Sequence, residues 1–113
     1  MELVTKEQMA ALQANGRRMM EKDISCEVWP VVKLFTPDAN ATWLLAWVEP
    51  GDPDIAWGLA DLGFPEIGSV CLSEIAAVRG ALGLPVERDL YFKAEKSLSE
   101  YADEARDRGH IAA

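Results

Sequence analysis

Apolar residues recur along the chain with two periods, and the change from one to the other marks the elements. Met9 and Leu12, with Ala10, Ala11 and Ala14, recur at helical spacing near the start. Thr5 followed three residues later by Gln8 forms a capping box that opens this helix. Asn15-Gly16 reads as its stop, with Arg17-Arg18-Met19-Met20 as an optional further turn. Glu21 to Glu27 is polar and reads as a loop. Trp29-Pro30 then forces extended backbone, because the residue before proline is excluded from helical angles.

From here β-branched and aromatic residues dominate. Val31 to Phe35 reads as a strand, Thr36-Pro37-Asp38-Ala39-Asn40 as a turn, and Thr42 to Val48 as the returning strand of a hairpin. Glu49-Pro50-Gly51-Asp52-Pro53-Asp54 is the strongest run of breakers. Ile55 to Leu62 follows as a third strand, with Ile55, Trp57 and Leu59 on one face and the small Ala56, Gly58 and Ala60 on the other. Gly63 to Glu66 turns the chain into a fourth strand, Ile67 to Leu72. Ser73 is placed to cap a short helix ending near Gly80, and the run from Gly83 to Phe92 reads as irregular or weakly extended. Ser97 and Glu100 form a second capping box, and Gly109 ends the final helix.

This order predicts a single α+β domain. A four-stranded antiparallel meander carries N-terminal, middle and C-terminal helices mainly on one face, and residues 94–113 form a helical extension with a short tail. At 113 residues the chain can bury a core without metals or disulfides. No apolar run approaches the roughly 20 residues that span a bilayer. The first residues lack the pattern of a signal peptide, so a cytoplasmic location is the expectation. Cys26 and Cys71 are far apart and outside any CxxC pair, which favours two free thiols.

The net charge of −8 is unevenly placed. Between Leu34 and Val78 stand Asp38, Glu49, Asp52, Asp54, Asp61, Glu66 and Glu74, with no lysine or arginine. A field of this sign repels phosphate backbones and suits a basic protein surface. Plain solubility is the simpler account of the same charge.

Candidate chemistry is sparse. The lone histidine, His110, sits in the tail, which excludes a nucleophile–histidine pair unless the tail folds back. Cys26, Cys71 and His110 have no zinc-site spacing, and no phosphate loop, dinucleotide fingerprint or EF-hand is present. No motif asks for a cofactor. Glu49, Asp52 and Asp54 offer oxygen ligands for a divalent cation, but their spacing is not diagnostic and a solvated turn stiffened by two prolines is the favoured account. Asp38 belongs to a turn at the opposite sheet end, because successive meander turns alternate between ends. Arg79 and Arg88 are candidates for an anion site, with ion pairing of a loop to the sheet as the structural alternative. Trp43, Trp47 and Trp57, with Asp52 and Asp54, are the candidate partner-binding residues. Trp43 and Trp47 are read as sharing a strand face with Leu45. Tryptophan is enriched at interface hot spots, and core packing is the alternative for two of the three.

Three segments carry a family resemblance. They are Lys33 to Trp43, then Asp54 to Gly68, then Leu72-Ser73-Glu74-Ile75 with Arg79 to Asp89. Together they resemble a bacterial family, domain of unknown function 2958, over roughly residues 4–93, with the remainder as a variable extension. The resemblance implies an accessory protein of conjugative plasmids and integrative elements, often found beside antirestriction and DNA-handling genes. It brings no catalytic residues.

The leading expectation is therefore a non-enzymatic protein-binding module of a mobile element, with an antidefence inhibitor imitating DNA charge as its narrower form. The alternatives are a small metal-dependent hydrolase using Asp38, Glu49, Asp52 or Asp54, and a nucleic-acid-binding protein using Arg17, Arg18 and Lys22. The reading leans against an enzyme, against direct nucleic-acid contact and against a membrane. It leaves the protein partner unnamed and a homodimer open.

Overall fold

A computed structural model of the chain describes residues 2–21 and 28–113. The predicted loop over residues 21–27, the burial of Cys26 and the position of Lys22 lie outside the described residues, except for Glu21. In chain order the elements are α1 (Lys6–Glu21), β1 (Val32–Phe35), β2 (Thr42–Glu49), β3 (Asp52–Asp61), β4 (Pro65–Cys71), α2 (Leu72–Ala77), β5 (Glu87–Arg88) and α3 (Leu98–Arg108). The class is α+β. The sheet has five strands in the order β4-β3-β2-β1-β5, every pair antiparallel. The predicted meander is its first four strands. The fifth is two residues long and pairs Leu34 with Arg88 and Phe35 with Glu87, too short and too polar to leave a periodic signal.

The helices do not share one face. Leu12 of α1 and Ile75 of α2 pack with Val32, Leu34, Trp43, Leu45, Val48, Ala56 and Val86. Leu98, Tyr101, Ala102 and Ala105 of α3 pack with Leu44, Ala46 and Leu59. Neighbours on β2 thus feed different cores, so the sheet lies between helices and is apolar on both sides. Burying a leucine such as Leu12 or Leu44 contributes about 1.5–3 kcal/mol.

One irregularity organises the centre. Leu45 pairs with Gly58 and Trp47 with Trp57, so Ala46 has no partner on β3. This bulge puts Ala46 and Trp47 both against the α3 core and returns Val48 to the other. Trp47 therefore does not share the face of Trp43 and Leu45, as strict alternation predicts. The side-chain amide of Asn15 donates to the Ala46 carbonyl at 2.8 Å. Beside it Gly16 is buried, and a Cβ there would overlap the Val48 carbonyl oxygen. Gly16 is thus a close-approach site for α1 against β2 and not a stop, and the helix continues to Glu21.

The breaker run is also more regular than expected. Only Pro50-Gly51 turns, and Glu49 already faces Asp52 across the hairpin. Pro53 is tolerated because it falls at a second register shift and before β3 begins to pair with β4 at Ile55. Both capping boxes form. Thr5 and Gln8 exchange hydrogen bonds of 2.9 and 3.0 Å, and Ser97 and Glu100 do the same before α3. Gly109 closes α3 in the left-handed conformation, with φ 82°.

Candidate functional site

The register divides the acidic residues between the two sheet ends. Thr42 and Asp61 mark one end, Glu49 and Asp52 the other, so Asp38 lies apart from the Glu49–Asp54 hairpin.

At the hairpin end each carboxylate has a local task. Glu49 accepts the indole N–H of Trp57 at 2.7 Å. Trp57 stacks on Trp47 with ring centroids 5.7 Å apart and planes 2° from parallel. Asp52 accepts the backbone N–H of Asp54. Asp54 accepts both the N–H and the hydroxyl of Ser73, at 2.9 and 2.7 Å. Ser73 was expected to cap α2; instead it lies within the helix, Cys71 occupies the cap position, and Asp54 on β3 supplies the acceptor. Among the described residues no group of three or more metal-ligating side chains is placed to hold an ion. Burial, followed by the carboxylates of Glu74, Asp54 and Asp52, pushes the Cys71 thiol above its ordinary value. It is held in the protonated form, which is poor nucleophile chemistry.

At the other end Asp38 reaches into the segment after α2. One carboxylate oxygen accepts the N–H groups of Leu82 and Leu84, at 2.7 and 3.2 Å. The other is buried without a partner. Gly80 lies against the same carboxylate, where any Cβ would overlap it. Residues 80–84 close as a tight turn through Gly83 N–H to Gly80 O and Gly80 N–H to Leu84 O. The segment is held by Asp38 of the β1–β2 turn through backbone N–H groups, and not by the ion pairing of Arg79 and Arg88 that the sequence suggests.

The two arginines proposed for an anion site each donate to backbone carbonyls. Arg79 bonds Ala76 and Val78, and Arg88 bonds Glu2. Asp89 faces Lys33 at 3.6 Å. Of the tryptophans, Trp43 is 3% exposed and belongs to the core, whereas Trp47 and Trp57 are half-buried.

The tail does fold back. Ile111 N–H donates to Asp61 at 3.1 Å, and Lys33 donates to the Ala113 carbonyl. His110 thereby lines a cleft of about 490 Å³ with Thr36, Asn40, Thr42 and Asp61. Sequence reading missed this cleft, because a buried aspartate in the Asp61-Leu62-Gly63 corner was its only signal. Among the described residues no hydrogen bond joins His110 to a hydroxyl or carboxylate, and both Asp61 oxygens are occupied, by Gly63 and Ile111.

A surface feature also escaped the sequence reading. Leu62 and Phe64, 70% and 69% exposed, stand at the β3–β4 turn, with Ile67 half-exposed on β4. They lie within the Leu34–Val78 stretch that has no basic residue.

Fold and site together define a small α+β domain in which acidic side chains hold turns and helix ends and several large apolar side chains, Leu62, Phe64 and Ile67 among them, face outward. The chain belongs to the family described as Protein of unknown function (DUF2958), whose model matches residues 3–112. The match runs through α3 and the tail, which the sequence reading had set aside as a variable extension. No curated protein and no solved structure matches the chain.

Proposed function

We propose that this protein is a non-enzymatic protein-binding module. The observation that carries the reading is the exposure of Leu62, Phe64 and Ile67 at the β3–β4 turn and on β4, with the exposed carboxylate of Glu66 between them in the chain. Large apolar side chains grouped on a surface favour a protein contact, and the adjacent charge favours a basic one. The half-buried Trp47–Trp57 stack supplies a second, rigid apolar element. The functional setting is that of a mobile-element accessory protein, with interference in host defence as its narrower form; the family resemblance supports this. The hydrolase alternative loses support because Asp38, Glu49 and Asp54 each hold a neighbouring N–H or hydroxyl. Arg17 and Arg18 leave the nucleic-acid alternative with two adjacent exposed cations on α1, a weak footprint on a chain of charge −8.

The test is affinity capture from a bacterial lysate, followed by reconstitution with the purified partner and titration calorimetry. A stoichiometric complex is expected, weakened at least tenfold by Phe64→Ser with an unchanged melting temperature. Turnover of a phosphoester or peptide substrate that requires added Mg²⁺ or Mn²⁺ overturns the reading.

A further inference from the structure

The two edges of the sheet are treated differently. β5 ends it with two residues, which leaves little backbone to pair. β4 ends the opposite side with seven residues in unbroken register against β3, from Pro65 to Cys71. Its outward N–H and C=O groups have no hydrogen-bond partner among the described residues. The usual protections of an open edge are charged side chains, above all lysine, interior proline, a bulge, and cover by a helix or loop. β4 carries one charge, Glu66, and α3 packs beside it. β4 has no lysine, its proline stands at the first position, and its ladder has no register shift.

Charge and side-chain chemistry say what this edge accepts. Glu66 marks one end of the strand. At the other, Asp54 on β3 accepts from Ser73, two residues beyond Cys71, and Glu74 follows directly. No lysine or arginine occurs anywhere between Leu34 and Val78. Between the acidic ends, Ile67 and Val70 provide apolar surface on opposite faces. A second copy pairing antiparallel would bring the carboxylates at one end of β4 onto Glu66 at the other, which is repulsive.

We propose that the β4 edge takes an extended, lysine- or arginine-bearing segment of a partner protein as a sixth strand. Backbone hydrogen bonds hold the segment, and its basic residues meet the carboxylates at the ends of β4. The proposal rests on the protein-binding reading and names the surface and partner chemistry for it.

The probe is an end-blocked eight-residue peptide alternating lysine and valine, titrated into the ¹⁵N-labelled full chain. Saturable amide shifts are expected at Ile67 to Cys71, with affinity falling about tenfold between low and high salt as screening sets in. N-methylation of alternate peptide bonds should abolish binding, and Glu66→Lys with Glu74→Lys should weaken it severalfold. Equal binding of a glutamate–valine peptide, insensitivity to N-methylation, or shifts centred elsewhere overturns the proposal. So does sedimentation of the free chain as a dimer that Ser69→Pro dissolves, since the occupant is then a second copy. A peptide failure alongside a captured partner still lost in Phe64→Ser removes the strand-addition site and leaves the protein-binding reading standing.

Discussion

At the residue scale, Asp38 shows how one side chain can hold a segment more than forty positions away. Its carboxylate supplies the acceptor for the N–H groups of Leu82 and Leu84. Asp38→Ala is expected to cost about 1–3 kcal/mol, the usual net worth of hydrogen bonds to a charged acceptor. Asp38→Asn keeps one acceptor and should cost less. Thermal denaturation of both variants, with limited proteolysis at residues 80–84, checks the order. Gly16 gives the complementary case. Gly16→Ala gains helix propensity but drives a methyl group into the Val48 carbonyl, so a net loss of about 1–3 kcal/mol is expected. A melting temperature equal to or above that of the wild type would contradict the close-approach role. Neither role was legible in the sequence. Turn chemistry identified Asp38 as a turn residue and Gly16 as a stop, because local rules cannot report what another element brings alongside. The Thr5–Gln8 and Ser97–Glu100 boxes were legible because both partners lie three residues apart.

At the scale of elements, α3 packs on the sheet face opposite α1 and depends on its own first turn. Ser97→Ala should cost about 1 kcal/mol through loss of the cap. Hydrogen bonds from Ser97 hold the Glu100 carboxyl below its ordinary value, and the Lys96 ammonium does the same for Glu104. A depressed carboxylate pKa adds stability above the unfolded value and loses it as pH falls through the folded one. Melting temperature should therefore drop as pH falls below about 4.5, and Glu104→Gln should flatten part of that drop. Lys96, raised by the same pair, loses its contribution only at strongly alkaline pH. An unchanged pH profile in Glu104→Gln would remove the pair from the account. Strand identity was legible for β1 to β4 because alternation survives without tertiary information. The side of the sheet each helix takes was not, since a sheet buried on both faces has no polar side to point away from. The Ala46 bulge was equally silent, and it alone reassigns Trp47 to the α3 face.

At the scale of the whole molecule, the charge of −8 is concentrated in strands and turns rather than in a tail. Self-repulsion of Glu49, Asp52, Asp54, Glu66 and Glu74 should make the chain more stable as ionic strength rises from about 10 to 200 mM, because the screening length shrinks over that range. A melting temperature that falls with salt would instead point to a net balance of attractive pairs. None of the described helices is long and apolar enough to cross a membrane. The acidic stretch was plain in the sequence. Its alignment with an open strand and exposed Leu62, Phe64 and Ile67 required the strand order, which places β4 outermost.

The position of α3 after every strand has a consequence during synthesis. As the chain leaves the ribosome, Leu44, Ala46 and Leu59 emerge before the helix that buries them. The nascent meander passes through a stage with one face shielded by α1 and the other bare. During that interval the face that α3 later buries is open to association, and the interval ends when residues 98–108 clear the exit tunnel.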